Sequence, residues 1–86
     1  MLFDYYEPKK IKMWMKNTHI PLDMIFISQV GKVTYIVERT IPHSEVIIVS
    51  KGLARAVLEV NAGTASRLGI KLGDIVEHPI FGNHKR

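Results

Sequence analysis

Much of the chain alternates between apolar and polar positions with the two-residue period of a β-strand. In residues 10–16, KIKMWMK, the apolar Ile11, Met13 and Met15 fall on one face, and the lysines and Trp14 fall on the other. Successive side chains of a strand point to opposite faces of a sheet. The segment is therefore predicted to form a half-buried strand.

A second segment, residues 22–28 with the sequence LDMIFIS, is apolar at almost every position. Such a run is typical of a central strand that is covered on both faces. Residues 29–32 form a short connection in which Gly31 can adopt a positive φ, and the β-rich KVTYIVERT follows. The pattern predicts a hairpin between these two segments.

Three further segments have β-strand character, namely EVIIVS at 45–50, LARAVLEV at 53–60 and DIVEHPIF at 74–81. Pro79 is expected to end the last of them or to place it at a sheet edge, because proline has no N–H to donate. Pro21 and the polar residues before it predict a loop over 17–21.

Residues 62–68 are the one segment with helical signals. Asn61 can cap the first turn, and Gly69 suits a left-handed stop after the last one. Several short strands and one short helix predict a mainly β fold, namely a small antiparallel barrel or a jelly-roll-like sandwich. We expect a single domain over residues 1–80 and a basic C-terminal tail over 81–86.

The composition fits a soluble globular domain, since 47% of the 86 residues are hydrophobic and 23% are charged. The chain has no cysteine, which excludes disulfides and cysteine-ligated zinc. Its first residues lack the pattern of a secretory signal, and its apolar runs are too short to cross a bilayer. These features predict a cytoplasmic protein with no membrane partner.

Two blocks of residues resemble the family called domain of unknown function 192. The first comprises Trp14–Thr18, Ile20–Asp23 and Phe26–Ile27, and the second comprises Leu58–Val60, Ala62–Thr64, Leu68–Ile70 and Gly73–Asp74. The resemblance runs from Met1 to about Glu77. It implies a compact, mainly β domain of bacterial and archaeal proteins with no established activity, substrate or cofactor.

Members of that family usually carry an additional strand and a short helical segment before the position of Met1. The resemblance therefore implies that a sheet edge near residues 1–16 is left uncovered in this chain. An uncovered edge exposes unpaired N–H and C=O groups that can pair with another copy. We accordingly expect a homo-oligomer, which light scattering would detect.

The segment from Leu68 to Val76 is also similar to the Gly-Asp turn of cradle-loop barrels, which include double-psi barrels and small DNA-binding regulators. The resemblance implies an architectural role for Gly69, Gly73 and Asp74. The glycines permit the bend, and the Asp74 carboxylate can accept backbone N–H groups from a neighbouring loop.

Asp23 is the charged residue of the largely apolar segment 22–28, so its carboxylate needs hydrogen-bond donors or a cation. Lys16 and Asn17 are the nearest candidates in sequence, and Trp14 lies just before them. These four residues form the candidate ligand-binding site. The alternatives are that Asp23 only braces the loop, or that it is the centre of an enzyme of unknown class.

Lys10, Lys12, Trp14 and Lys16 share one face of the predicted strand 10–16, in a chain whose net charge is +4. Ammonium groups beside an aromatic ring can bind the phosphates and bases of a nucleic acid. The alternative interpretation is a solvated face without a partner. A nucleic-acid or polyanion binder is thus a second functional hypothesis.

No motif specifies a reaction, a metal or a cofactor. The four histidines are scattered without the paired spacing of zinc ligands. The residues Pro42–Glu45 include a base, a hydroxyl and an acid, but no nucleophile motif surrounds them. The leading hypothesis is a non-enzymatic module that binds a small ligand or a protein.

Overall fold

Six strands, one α-helix and one 3-10 turn follow each other in residues 1–83, the part of the chain that the computed structural model describes. The strands are β1 (Leu2–Lys9), β2 (Lys12–Met13), β3 (Leu22–Ile27), β4 (Val33–Val37), β5 (Ile48–Val49) and β6 (Ala54–Asn61). Helix α1 comprises Thr64–Leu68, and the 3-10 turn comprises Pro79–Phe81.

The strands form two antiparallel sheets. The main sheet has the order β1-β6-β3-β4, and β2 pairs with β5 in a separate two-stranded sheet. The prediction of a mainly β fold with one short helix near 62–68 is confirmed. Within residues 1–83 the two sheets do not close into a barrel, so the arrangement is sandwich-like.

Two hydrophobic cores cover the two faces of the main sheet. The first contains Ile11, Met15, Met24, Phe26, Ala54 and Val57, and it includes residues of the segment around β2. The second contains Ile25, Ile27, Val33, Ala56, Ala65 and Phe81, which brings in α1 and the 3-10 turn. The main sheet is thus a middle layer, which is why β3 is apolar at nearly every position.

The central strand and its hairpin are as predicted. β3 lies between β6 and β4, and its residues from Asp23 to Ile27 are buried. Gly31 has a φ of 87° in the connection to β4. The first core explains the alternation over 10–16, where Ile11 and Met15 are buried and the lysines are exposed.

The prediction of a strand over all of residues 10–16 is wrong in its length. Only Lys12 and Met13 pair, and their partners are Val49 and Ile48 of β5. A strand pairs only as far as its neighbour extends, and β5 has two residues. Beyond β2, the Met15 N–H donates to the Ser44 carbonyl at 3.1 Å.

The predicted strand over 74–81 is also wrong. Only a single bridge between Ile75 and Lys32 forms there, and Pro79 begins a 3-10 turn. Proline suits the first position of a helical turn, because its φ is already fixed and its missing N–H has no role there. His78 Nδ1 accepts the Ile80 N–H at 3.2 Å and thereby caps the turn.

The packed chain continues past residue 80, where the predicted tail begins. Phe81 belongs to the second core, and the Asn83 side-chain amide donates to the Val76 carbonyl at 2.9 Å. Residues 84–86, the rest of that basic tail, lie outside the described residues. No helix among residues 1–83 has the length and apolar character that a membrane crossing requires.

The two ends of α1 differ in how well the sequence predicted them. Asn61 is not the cap, since it is the last residue of β6 and the N-cap is Gly63, with a φ of 92° and no side-chain cap. Gly69 ends the helix in the left-handed conformation, with a φ of 70°. In the following turn Gly73 has a φ of 89°, and Asp74 Oδ2 accepts the Lys71 N–H at 2.8 Å.

We predict that Gly31→Ala destabilises the fold far more than Gly69→Ala. Both glycines have a positive φ, so alanine costs roughly 1–2 kcal/mol at either position. At Gly31 a Cβ would also lie 2.6 Å from the Val76 carbonyl oxygen and 2.5 Å from Asn83 Nδ2, whereas nothing lies within 4 Å at Gly69. Crowding adds about 1–3 kcal/mol at Gly31.

Urea denaturation of the two variants measures the difference in the free energy of unfolding. Equal losses of stability in both would contradict the close packing of residues 76–83 against the hairpin connection.

Candidate functional site

The Asp23 carboxylate is fully buried and accepts three backbone N–H groups. Oδ1 accepts the N–H of Arg39 at 2.9 Å, and Oδ2 accepts those of Gly63 at 3.1 Å and Ala65 at 2.9 Å. These donors belong to the chain after β4 and to the start of α1. Asp23 therefore connects β3 to two segments that are distant in sequence.

Two opposing effects act on the pKa of Asp23. Desolvation favours the neutral acid and raises the pKa, but the N–H donors of Ala65, Arg39 and Gly63 favour the anion and lower it. The positive charge of Arg39 lowers it further, and the net pKa lies below the usual value of 3.8. The buried group is thus a carboxylate at neutral pH.

Next to Asp23, the register between β3 and the chain after β4 shifts by one residue. Met24 pairs with Val37, and in the same register Leu22 would face Arg39. Instead the Leu22 carbonyl accepts the N–H of Thr40 at 2.9 Å. The extra residue is the mark of a β-bulge, and Arg39 has the left-handed φ of 53° that such a bulge can require.

A groove of about 270 Å³ opens beside this bulge. Its lining residues are Met15, Val37, Glu38, Arg39, Thr40, Ile41, Ser44, Val46 and Ile48. Met15 is buried at its floor, whereas Ile41 and Val46 at its rim are 71% and 72% exposed. We call this feature the rim groove, a largely apolar depression with one arginine and one glutamate.

A smaller cleft of about 180 Å³ lies on the other side of segment 44–48. Ser44, Val46 and Ile48 line the rim groove, while Ile47 lines this cleft together with Lys12, Met13 and Trp14. The Lys16 ammonium lies 5.2 Å from the centre of the Trp14 ring. We call this feature the basic cleft.

The candidate site residues fall into two places. Trp14 and Lys16 are neighbours at the basic cleft, and Asn17 is exposed in the turn after it. Asp23 takes its hydrogen bonds from backbone N–H groups, whereas the sequence suggested Lys16 and Asn17 as its partners. Lys10 and Lys12, the further members of the alternative anion-binding set, are exposed.

Sequence reasoning missed the rim groove. One signal was available in segment 45–50, where valine and isoleucine occupy four consecutive positions although the neighbouring chain is polar. Such a run on a segment with so short a strand leaves apolar side chains at the surface. Nothing in the sequence indicates that Arg39 lines this groove, because its conformation depends on the bulge.

Other titratable groups have local roles. Asp4 accepts the Arg55 guanidinium at 2.7 Å, and this hydrogen bond lowers the pKa of Asp4. Burial raises the pKa of Glu59. The rings of His19 and His43 meet edge to face with centroids 4.8 Å apart, but no three acidic or histidine side chains among residues 1–83 cluster as metal ligands.

Comparison with known families and proteins gives one family match. The family DUF192, described as "Uncharacterized ACR", matches residues 1–78. No curated protein matches the chain.

Two solved structures are similar. A crystal structure of a candidate transcription regulator from Sinorhizobium meliloti 1021 is 50% identical, with a TM-score of 0.90 over 93% of this chain. A protein of unknown function from Novosphingobium aromaticivorans is 44% identical, with a TM-score of 0.87 over 91% of this chain. The matched regions cover 62% and 56% of those two chains, so this chain spans less than two thirds of their length.

We predict that Asp23→Asn lowers the free energy of unfolding by about 2–4 kcal/mol at pH 7. The asparagine amide cannot accept all three N–H groups, and it places its own donors against them. Asp74→Asn is the matched control, since exposed Asp74 accepts one N–H and should cost less than about 1 kcal/mol.

The effect of Asp23→Asn should depend on pH. Because the folded-state pKa is below the unfolded value, the stabilisation by the carboxylate is complete above about pH 4 and is lost as the pH falls through the folded pKa. Urea denaturation at several pH values measures this. A difference between wild type and Asp23→Asn that stays constant down to pH 2 would contradict it.

Proposed function

Because the chain belongs to the uncharacterised family DUF192, its function must be inferred from its own surface, and we propose that it is a non-enzymatic binding module. The binding site in this proposal is the rim groove. The observation that carries it is the exposure of Ile41 and Val46 above a buried apolar floor.

The exposed rim makes a covering partner energetically favourable. Burying a large aliphatic side chain is worth about 1.5–3 kcal/mol. Ile41 and Val46 are both more than two thirds exposed, so covering the pair would contribute about 2–4 kcal/mol to binding. This is a useful part of the affinity of a weak to moderate complex.

The size of the rim groove favours a segment of a protein over a cofactor. A volume of about 270 Å³ is slightly below the usual range of small-molecule pockets. It accommodates two or three side chains of a peptide. A partner protein that inserts a short apolar segment fits both this volume and the exposed rim.

The environment of Asp23 supports binding rather than catalysis. A general base must reach its substrate directly or through one water. The Asp23 carboxylate is buried and both of its oxygens accept backbone N–H groups. Its contribution to function in this proposal is to hold the wall of the rim groove.

We predict that neutral apolar peptides bind at the rim groove. The probe is a pool of acetylated, amidated hexapeptides in which aliphatic residues alternate with threonine, titrated into ¹⁵N-labelled protein. Amide shifts are expected in residues 37–41 and at Ser44, Val46 and Ile48, because these residues line the groove.

The variant Val46→Glu should abolish these shifts by placing a charge at the rim. Leu72→Glu is the control, since Leu72 is 62% exposed and does not line the groove. Shifts that are absent in wild type, or that persist in Val46→Glu, would disprove the rim groove as the binding site.

A second candidate function is the binding of a nucleic acid or another polyanion at the basic cleft. One observation favours it: Lys12 and Trp14 line the cleft together, and Lys16 lies beside the same ring. The carboxylate of Asp4 in β1 is paired with Arg55 and not with these lysines. The similar protein from S. meliloti is described as a candidate transcription regulator.

For this candidate we predict salt-sensitive binding of a labelled single-stranded oligonucleotide. Contacts of Lys10, Lys12 and Lys16 with phosphates give a log–log salt slope between about −2 and −3, and Trp14→Ala should weaken binding by about 1–3 kcal/mol through lost stacking. Fluorescence anisotropy at two salt concentrations measures both, with Lys71→Ala as the control. Equal weak binding by wild type and Trp14→Ala would eliminate this function.

A further inference from the structure

We propose that His19 and His43 form a binding site for a divalent transition-metal ion of the kind that imidazole ligates, such as Zn²⁺, Ni²⁺ or Cu²⁺. The centres of the two rings lie 4.8 Å apart, although the residues belong to connections that are distant in sequence. Neither histidine lines the rim groove or the basic cleft. The inference therefore goes beyond the proposed function and does not depend on it.

The separation of the two rings is the spacing that one shared ion requires. A Zn–N bond is about 2.0–2.1 Å long, so two imidazoles at a tetrahedral angle around one ion have ring centres roughly 5 Å apart. The observed 4.8 Å agrees with this value. The two connections thus already hold the imidazoles of His19 and His43 at the distance of a chelate.

The orientation of the two rings can adjust to an ion. Their planes are inclined by 69°, and both side chains are exposed. The last torsion of a histidine side chain has a broad energy profile, and an exposed ring is free to turn about it. Rotation about this bond can point one nitrogen of each ring at a common ion.

Backbone hydrogen bonds hold the two connections together. The His43 N–H donates to the Thr18 carbonyl at 3.1 Å, and the Met15 N–H donates to the Ser44 carbonyl at 3.1 Å. Each of these bonds joins the chain just before His19 to the turn around His43. A site whose ligands are held near each other before binding loses less conformational entropy when the ion arrives.

His43 adopts a backbone conformation that is uncommon outside glycine. Its φ is 64°, in the left-handed region. Such a conformation persists only where the surrounding structure holds it, and it is often found at ligand clamps. Here the bond to Thr18 holds it, together with the turn in which the Ser44 N–H donates to the Ile41 carbonyl at 3.2 Å. The strained residue is thus the one that places the second imidazole beside the first.

The donor atoms define the class of ion. Imidazole nitrogens suit Zn²⁺, Ni²⁺ and Cu²⁺, whereas Mg²⁺ prefers oxygen ligands. Within residues 1–83, no third histidine or acidic side chain joins the pair. An ion held by two side chains keeps coordination positions open to water, unlike the closed four-ligand sites of structural zinc. We therefore expect a reversible site with the affinity of a two-point chelate.

Isothermal titration calorimetry of the full chain without an affinity tag tests the site, with Zn²⁺ and Ni²⁺ alone as the probes. Wild type should bind one ion per chain at its strongest site, and Mg²⁺ should give no binding heat. His19→Asn and His43→Asn should each weaken binding roughly tenfold or more, because the second imidazole of a chelate acts at a high effective concentration.

His78→Asn is the matched control. It removes a histidine elsewhere in the chain, and asparagine can still accept the Ile80 N–H at the start of the 3-10 turn. The affinity for Zn²⁺ and Ni²⁺ should not change in this variant. Asparagine also tolerates the left-handed backbone of residue 43, and thermal melts check that each variant is folded.

The double variant His19→Asn/His43→Asn distinguishes a chelate from two independent histidines. A chelate loses most of its affinity with either ligand, so the double variant should bind about as weakly as the single variants, whereas independent histidines give small losses that add. In ¹⁵N-labelled wild type, Zn²⁺ should shift the amides of residues 17–21 and 41–44. Absence of Zn²⁺ and Ni²⁺ binding by wild type, unchanged affinity in either single variant, or small additive losses would overturn the site.

The peptide titrations at the rim groove contain no metal ion. Their outcome therefore decides the proposed function separately from this inference.

Discussion

One buried carboxylate holds together the parts of this molecule that come from different regions of the sequence. Asp23 belongs to the central strand, and it accepts N–H groups from the chain after β4 and from the start of α1. Without it, three donors would be unpaired, and the short helix would have no cap, since Gly63 offers no side chain. The charge is stable in the interior because these three N–H groups replace its hydration.

The same carboxylate links architecture to surface chemistry. It holds the N–H of the extra residue in the bulge, and that residue is Arg39. Arg39 also lines the rim groove, so the backbone of one groove residue is held in place from inside the fold. The apolar rim residues Ile41 and Val46 belong to the connection that follows, so a structural constraint and a candidate binding site share one stretch of chain.

The sequence predicts what depends on local pattern. The two-sided burial of β3, the turn at Gly31 and the burial of Ile11 and Met15 follow from apolar periodicity alone. The length of β2 and the absence of a strand at residues 74–81 depend on which partner strand lies beside them. No local pattern contains that information. The partners of Asp23 are backbone groups 16 to 42 residues away, which any sequence could supply. The left-handed conformation of Arg39 was not predictable for the same reason, because it depends on contacts with distant residues.

The strand order has a consequence for how the chain folds. Among residues 1–83, β1 pairs with β6 and with no other strand, so that Leu2 is opposite Leu58 and Lys9 is opposite Ala54. β6 also pairs with β3 along its length, from Asn61 to Ala56. Chains dominated by such non-local pairings fold in milliseconds to seconds, more slowly than helical bundles. β1 and β3 precede their common partner β6 by 26 or more residues in the chain, whereas β3 and β4 are neighbours in sequence, so the hairpin of β3 and β4 is the local part of the main sheet.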